Sequence, residues 1–337
     1  MIFFYNLLLF SFFYFIFVQF SKLINLYDYP DTDKIHKVKI PPIGGLIISA
    51  TILSNILLFE IDSEIINMIN IASLMIIIGV IDDKFNINPY SRLIYQVFCA
   101  FLIVYFFLRI ETLGYYYLLG DLKLNVYFLS IFSVLCIIGL TNAINFIDGI
   151  DGLASGLVII ALLQIIFFNY GFNFFNIELI LIIFTLVLIF FFIINISNKL
   201  LIFNKIFLGN AGSIYIGFML SLLLIYFGNK NINNYHQVMN LWVVSIPVYD
   251  FFATSINRLL NKQNPMQSDL MHIHHLLLKL GYKQKNISFL IILTALALGI
   301  IGFIFLNLFN ALISLVMFFI FFILYFNFKL LIIKKIK

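Results

Sequence analysis

The chain has 337 residues, of which 63% are hydrophobic and 10% are charged, with a mean hydropathy of +1.10 and a formal net charge of +5. Because a soluble domain carries roughly 25% charged residues, this composition excludes a water-soluble globular protein and indicates an integral membrane protein with many spans. The small positive excess shows no basic groove pattern, so we expect no nucleic-acid partner.

Eleven apolar segments are long enough to be membrane spans, since a helix needs about 20 residues to cross a bilayer. They lie near residues 2–24, 42–60, 64–81, 92–109, 125–142, 153–170, 177–195, 211–228, 238–257, 287–307 and 309–331. The first lacks a basic leading region and a small-residue cleavage site, so we expect a retained span and not a signal peptide. The prediction is an all-α, polytopic fold in one transmembrane domain that covers residues 1–337.

Lysine and arginine fall almost entirely on one side of this predicted topology. Of the 20 basic residues, seventeen belong to one set of loops and ends, and three, Arg109, Lys123 and Lys230, belong to the other. Because basic residues mark the cytoplasmic side of a membrane protein, we expect the N-terminus outside and the C-terminus in the cytoplasm.

Five loops on the predicted cytoplasmic face carry the polar clusters of the chain. In chain order they are the segment from Asp28 to Gly45 with Lys34 and His36, then Asp82-Asp83-Lys84, residues 142–156, residues 207–213, and the segment from Asp250 to His275. Each cluster alone could be solvated acids, turn glycines or interfacial histidines. Their restriction to one face favours a functional site there, because polar groups at membrane depth are costly.

The residue types in these loops suit phosphate chemistry. Acids without thiolate neighbours suit a hard cation such as Mg²⁺, which prefers oxygen ligands. Glycine-rich turns let backbone N–H groups approach phosphate oxygens, and lysine, arginine and histidine can neutralise the same oxygens. The residues alone therefore predict Mg²⁺-assisted phosphate chemistry at the cytoplasmic surface.

Motifs in all five loops resemble, in order and spacing, those of the polyprenyl-phosphate N-acetylhexosamine-1-phosphate transferases, a family of the WecA and MraY type. The most specific is NAINFIDGIDGLASG at residues 142–156. GVIDDKF is similar to the family's acidic pair, and HIHHLLLKLG is similar to the histidine motif of its N-acetylglucosamine-type branch. The resemblance extends from Asp28 to Gly281.

This resemblance implies a reaction. A UDP-N-acetylhexosamine, by default UDP-N-acetylglucosamine, would donate its sugar-1-phosphate to undecaprenyl phosphate, a membrane lipid, with release of UMP. The product would start a lipid-linked glycan of the cell wall or of a surface polysaccharide such as lipopolysaccharide. The resemblance also implies Mg²⁺ or Mn²⁺ as the cofactor, the bacterial inner (cytoplasmic) membrane as the location, and a homodimer.

The resemblance further implies roles for the residues at the motif positions. Catalytic roles would belong to Asp82, Asp83, Asp148, Asp151, His274 and His275. Substrate-binding roles would belong to Lys34, His36, Asn142, Asn145, Gly149, Arg258 and His272. The metal would be bound by Asn210, Asp82 and Asp83.

Two positions depart from the family pattern. Asn210 stands where the family has the Mg²⁺-binding aspartate of Gly-Asp-x-Gly-Ser, and Asp33 stands where arginine is common. Because Asn210 is neutral, we expect weaker metal binding. This leaves an alternative function, that of a catalytically weak relative that binds lipid phosphate or nucleotide sugar without turnover. A transporter or flippase is disfavoured, because the polar clusters lie at span ends and not at the bilayer midplane.

Overall fold

The structure is a computed structural model that describes residues 2–30, 37–118, 120–122, 124–169, 176–197, 199–230, 235–264 and 270–336. Within these residues the helices are Ile2–Leu23 (α1), Gly44–Ile56 (α2), Ser63–Phe85 (α3), Pro89–Phe106 (α4), Val126–Ile147 (α5), Leu153–Phe168 (α6), Ile177–Ile196 (α7), Gly209–Lys230 (α8), Val238–Val243 (α9), Ser245–Leu260 (α10), Ile273–Lys279 (α11), Gln284–Leu308 (α12) and Ala311–Ile336 (α13).

Four strands of two residues each accompany the described helices. Tyr115–Tyr116 (β1) pairs antiparallel with Gly120–Asp121 (β2), and Lys199–Leu200 (β3) pairs antiparallel with Phe203–Asn204 (β4). These two hairpins were not predicted, but they add little to a chain that is mostly helical.

Eight of the described helices, namely α1, α3, α4, α5, α7, α8, α12 and α13, are long and apolar enough to cross a membrane. Helices are the expected form, because a lipid-exposed backbone must satisfy its own hydrogen bonds. Each of the eleven predicted segments contains a helix, although α2 and α6 have only 13 and 16 residues. The segment 238–257 is broken at Val244 into α9 and α10. The helices agree with a polytopic membrane protein.

The chain packs as two compact units. Unit 1 consists of Met1–Arg109, Val134–Thr141 and Phe172–Leu223, and unit 2 of Ile110–Ser133, Asn142–Gly171 and Leu224–Lys337. That the whole chain acts as one transmembrane domain remains a prediction.

In unit 1, helices α1, α2 and α7 pack against one another, α2 also packs against α3, and α3 packs against α4. The connection between α3 and α4 is short. Asn86 ends α3 in the left-handed conformation with φ of 49°. The side chain of Asn88 then accepts the N–H of Tyr90 at 2.9 Å, with Pro89 beginning α4. These turn and capping residues reverse the chain, so the start of α4 lies beside the end of α3.

In unit 2, helix α12 packs against α6, α9, α10, α11 and α13. Two polar contacts mark this packing. The Nε2 of Gln164 in α6 donates to the carbonyl of Leu296 at 3.0 Å. The indole Nε1 of Trp242 in α9 donates to Ser314 Oγ in α13, also at 3.0 Å. Because both side chains are buried, these hydrogen bonds lower the cost of placing the two N–H donors in an apolar interior.

Candidate active site

The acidic pair lies in the last turn of α3. Asp82 is 4% exposed, and its Oδ2 lies 2.8 Å from Nη1 of Arg92 in the first turn of α4. The short α3–α4 connection produces this ion pair. Arg92 was expected only as a basic residue of the cytoplasmic side, so its contact with a predicted catalytic carboxylate was missed. The available signal was the Asn-x-Asn-Pro turn between the two residues.

Asp83 occupies a different environment, at the first turn of α8. Its Oδ1 accepts the backbone N–H of Asn210 at 2.7 Å, and its Oδ2 accepts the N–H of Ala211 at 3.2 Å. A carboxylate is stabilised there because the first N–H groups of a helix lack intrahelical partners and carry partial positive charge. Asp83 therefore fixes the position of Asn210, the residue that departs from the family pattern.

Two glycines allow backbones to meet at the same turn of α8. A Cβ at Gly45 would lie 2.4 Å from the Cα of Gly212, and a Cβ at Gly79 would lie 2.2 Å from the Cα of Ala211. Gly45 ends one of the loops in which glycine turns were expected to approach phosphate, and Gly79 was given no role. In the structure these two serve close packing, and Asp83 accepts the N–H groups of Asn210 and Ala211.

The predicted metal ligands of unit 1 can be tested against this geometry. Across the described ranges, no three His, Cys, Asp or Glu side chains form a group that could hold a metal. Mg²⁺, however, commonly takes one or two carboxylates and completes its shell with waters and substrate phosphates. Each carboxylate oxygen of Asp82 and Asp83 has more than one acceptor site, and Asn210 adjoins Asp83. These residues therefore fit an ion shared with a diphosphate, and not a closed protein site.

The third cluster lies at the turn between α5 and α6 in unit 2. Asn142 and Asn145 belong to the last two turns of α5, and Asp148 follows its last residue. The N–H of Asp148 bonds to the carbonyl of Asn145 at 3.3 Å. The carbonyl of Asp151 accepts from Ser288 Oγ of α12 at 2.9 Å. The predicted site residues of this cluster thus lie in or just before one turn that is attached to α12.

The histidine motif forms the start of α11, which the sequence analysis placed within a loop. The His274 side chain is fully buried and its ring centroid lies 4.0 Å from that of His275. A Cβ at Gly149 would lie 2.1 Å from His274 Nε2. The structure therefore brings the histidine motif directly against the turn of the third cluster.

His274 has an unusual electrostatic environment for a predicted catalytic residue. Among the described residues, none hydrogen-bonds to either of its buried ring nitrogens. Burial, and next the neighbouring His275, hold the pKa of His274 well below its usual range. Since burial disfavours the charged imidazolium, His274 is neutral near pH 7.

Two contacts of His272 involve residues to which the sequence analysis gave no role. The ring of Phe146, inside the NAINFIDG motif, has its centroid 5.5 Å from that of His272 and stacks on Phe251 of α10. Asp250, also in α10, places Oδ2 2.7 Å from His272 Nδ1. In the sequence, Phe146 could have been identified by its position inside the motif. Asp250 could have been identified as a carboxylate within an apolar segment.

The remaining predicted residues are placed as follows. Lys34 and His36 lie outside the described residues. Arg258 lies in the last turn of α10 and is only 2% exposed. The site roles implied for all of these residues stay predictions.

The apolar helices and the polar clusters described above together define a polytopic membrane protein with acid, amide and imidazole groups at its helix ends. Residues 65–228 match the model of glycosyl transferase family 4. The chain is 30% identical over 287 residues to the probable undecaprenyl-phosphate N-acetylglucosaminyl 1-phosphate transferase of Bacillus subtilis (strain 168), covering 84% of this chain and 76% of the relative.

Two further relatives are both called undecaprenyl-phosphate alpha-N-acetylglucosaminyl 1-phosphate transferase. The Escherichia coli (strain K12) protein is 30% identical over 292 residues, covering 84% of this chain and 77% of its own. The Yersinia pestis protein is 29% identical over 288 residues, covering 83% and 77%. The chain therefore belongs to the family of undecaprenyl-phosphate N-acetylglucosaminyl 1-phosphate transferases, which transfer N-acetylglucosamine-1-phosphate to undecaprenyl phosphate. The resemblance inferred from the motifs is confirmed.

Proposed function

We propose that this protein transfers N-acetylglucosamine-1-phosphate from UDP-N-acetylglucosamine to undecaprenyl phosphate, releases UMP, and depends on Mg²⁺. The observation that carries the proposal is the likeness to named transferases of this reaction across 84% of the chain. The acidic pair, the turn at residues 148–152 and the histidine motif supply groups suited to two phosphate-bearing substrates.

The proposal includes a topology of eleven spans with the N-terminus outside and the C-terminus in the cytoplasm of a bacterial inner membrane. The eight long apolar helices supply most of the spans, and α2, α6 and the pair α9–α10 supply the shorter or broken ones. Of the seventeen basic residues assigned to the cytoplasmic side, Arg92 and Lys329 are paired with Asp82 and Asp250. Fifteen others still outnumber the three on the opposite side, which supports this orientation.

In unit 1, Asp82 would orient the lipid phosphate and not act as a strong base. A phosphate monoester has a second pKa near 6, so the attacking oxygen is largely ionised at neutral pH. The ion pair with Arg92 holds the Asp82 carboxylate in one orientation. Mg²⁺, when bound by Asp82, Asp83 and Asn210, would neutralise phosphate charge during the displacement at the β-phosphorus.

In unit 2, the turn and the histidine motif would hold the UDP-sugar. Asn145, Asp148 and Asp151 would contact the nucleotide and its diphosphate. A neutral His274 would act as a hydrogen-bonding group at the diphosphate or sugar and not as a cation. Positioning of this kind dominates phosphoryl transfer, because the enzyme has little covalent chemistry to perform.

The proposal is tested by incubating the purified protein in detergent with undecaprenyl phosphate, Mg²⁺ and a panel of UDP-sugars. We expect UMP release with UDP-N-acetylglucosamine that requires both the lipid and the metal. A protein that releases no UMP from any UDP-sugar at saturating Mg²⁺ would be a binding protein instead.

Asn210 favours one alternative, a relative that binds its ligands but turns them over weakly. An amide oxygen can ligate Mg²⁺ but lacks the charge of the aspartate common in the family. Mg²⁺ titrations of the native protein and Asn210→Asp separate the two. For an active enzyme, both proteins reach comparable rates and Asn210→Asp needs less Mg²⁺. Turnover by Asn210→Asp alone would establish the weak relative.

A further inference from the structure

The carboxylate of Asp250 collects four donors in the interior of unit 2. Its Oδ2 lies 2.7 Å from His272 Nδ1. Its Oδ1 accepts the backbone N–H of Ile273 at 3.1 Å, the hydroxyl of Tyr325 at 2.9 Å and the ammonium of Lys329 at 2.6 Å. These contacts join α10, α11 and α13 at one point.

Both charged members of this group are removed from solvent. Asp250 and Lys329 are each 1% exposed, and their ion pair is therefore fully desolvated. The cost of desolvating two charges commonly offsets the attraction between them. Well-packed apolar residues in place of this ion pair would therefore stabilise the fold about equally. Fold stability alone does not account for an Asp–Lys pair here, and the geometry of the attached histidine offers a better explanation.

The pairing determines which nitrogen of His272 carries the proton. An ionised carboxylate can only accept hydrogen bonds, so His272 must donate from Nδ1. Lys329 already supplies the cation that pairs with Asp250, so the carboxylate does not require a charged imidazole as its partner. Nε2 is then the ring nitrogen left to meet a substrate, an arrangement that recurs where a carboxylate orients a functional histidine.

We propose that Asp250, held by Lys329 and Tyr325, is a positioning residue for the transfer reaction that keeps His272 in the Nδ1–H tautomer and presents Nε2 to the substrate diphosphate. The inference rests on the proposed function. All four residues lie beyond residues 65–228, the stretch that matches the family model, and Lys329 comes from a helix that carries none of the motifs.

The direct test reads the tautomer and needs no substrate. The chain has 5 histidines, so ¹⁵N-histidine labelling gives a simple spectrum, and His272→Gln identifies the His272 signals. We expect the Nδ1–H form in the native protein.

In Asp250→Asn, the amide oxygen faces the donors that met Oδ1, and the amide NH₂ faces His272. We therefore expect the Nε2–H form and a kcat about 10- to 100-fold lower, with a smaller change in KM.

A matched control separates positioning from general damage to unit 2. Ser314→Ala removes another buried hydrogen bond between α9 and α13, that of Trp242, and should lower stability without changing the His272 tautomer or kcat. Tyr325→Phe removes one donor with little change in volume and should give a smaller loss of kcat. The variant Asp250→Asn/Lys329→Met lacks both charges of the buried Asp250–Lys329 pair and serves if Asp250→Asn does not fold.

Three results would decide the matter. An Nε2–H tautomer in the native protein overturns the inference. So does an Asp250→Asn or Asp250→Asn/Lys329→Met protein that keeps native kcat. A native protein that releases no UMP but shows the Nδ1–H form would overturn the proposed function alone and leave the orientation of His272 by Asp250 in place.

Discussion

Gly149→Ala tests the contact between the turn of the third cluster and the histidine motif. The added Cβ would lie 2.1 Å from His274 Nε2, which is 1.3 Å short of the 3.4 Å at which ordinary contact begins. Because the His274 side chain is fully buried, its ring cannot swing into solvent and must displace its neighbours. Overpacking of this kind costs about 1–3 kcal/mol, and a misplacement of about 1 Å at a reacting group can cost about 100-fold in rate.

The assay measures UMP release and thermal unfolding of the same purified protein. Gly139→Ala is the matched control, because, apart from its chain neighbours and the backbone of its own helix, no atom of the described residues lies within 4 Å of the Cβ it would carry, and alanine favours the helix. In a His274→Ala background, Gly149→Ala should lose most of its effect on stability, as expected for residues in contact. Native kcat and stability in Gly149→Ala would refute the contact.

Three other changes give distinct outcomes. Asp82→Asn should abolish transfer, because it removes the charge proposed to orient the lipid phosphate and hold Mg²⁺, and it should leave folding and membrane insertion intact, because the amide keeps the shape of the side chain and an acceptor oxygen for Arg92; turnover by this variant would remove the role given to Asp82. Asp83→Ala should destabilise the protein by about 0.5–2 kcal/mol, as loss of a helix cap does, because two N–H groups of α8 lose their acceptor; Asp83→Asn, which keeps one acceptor oxygen, should cost less in the same thermal unfolding assay. Acidification from about pH 7.5 to about pH 5.5 should lower stability through His274. Its pKa in the folded protein is depressed below 6.5, so its contribution is present above the unfolded-state value and is lost as the pH falls below it. A His274→Gln protein with the same unfolding profile over that range would contradict this.

Contacts between sequence motifs were the most predictable part of the candidate site. GVIDDKF meets the Gly209–Ser213 turn through Asp83 and Asn210, and the third cluster meets the histidine motif at Gly149 and His274. Acids, amides, imidazoles and glycines at the ends of apolar segments indicated which groups to expect near one another, because polar groups in a membrane protein concentrate where they serve a site, but not which of these groups meet.

The break between α9 and α10 was missed although a local signal existed. Residues 238–257 are apolar enough to be taken as one span, and Val244 interrupts them. Pro247 is the third residue of α10. Proline is tolerated in the first turn of a helix but removes a hydrogen bond from its interior. Its presence therefore indicated that a new helix begins just before it.

The partners of Asp82 and Asp250 could not be read from a local pattern. Arg92 follows Asp82 by 10 positions and meets it only because the turn at Asn86 reverses the chain. Lys329 lies 79 positions after Asp250. It belongs to the apolar helix α13, and in the sequence it resembled the other basic residues at the cytoplasmic end of that helix. Such pairings depend on how helices pack and not on periodicity or spacing.

The sequence separation between Asp250 and Lys329 has a consequence for biosynthesis. At about 5–20 residues per second, the ribosome adds the lysine about 4–16 s after the aspartate, since 79 positions separate them. Until α13 enters the membrane, the carboxylate has no ammonium to balance it, and a lone charge there is costly. The imidazole beside it can therefore settle into its final orientation only after α13 has been made.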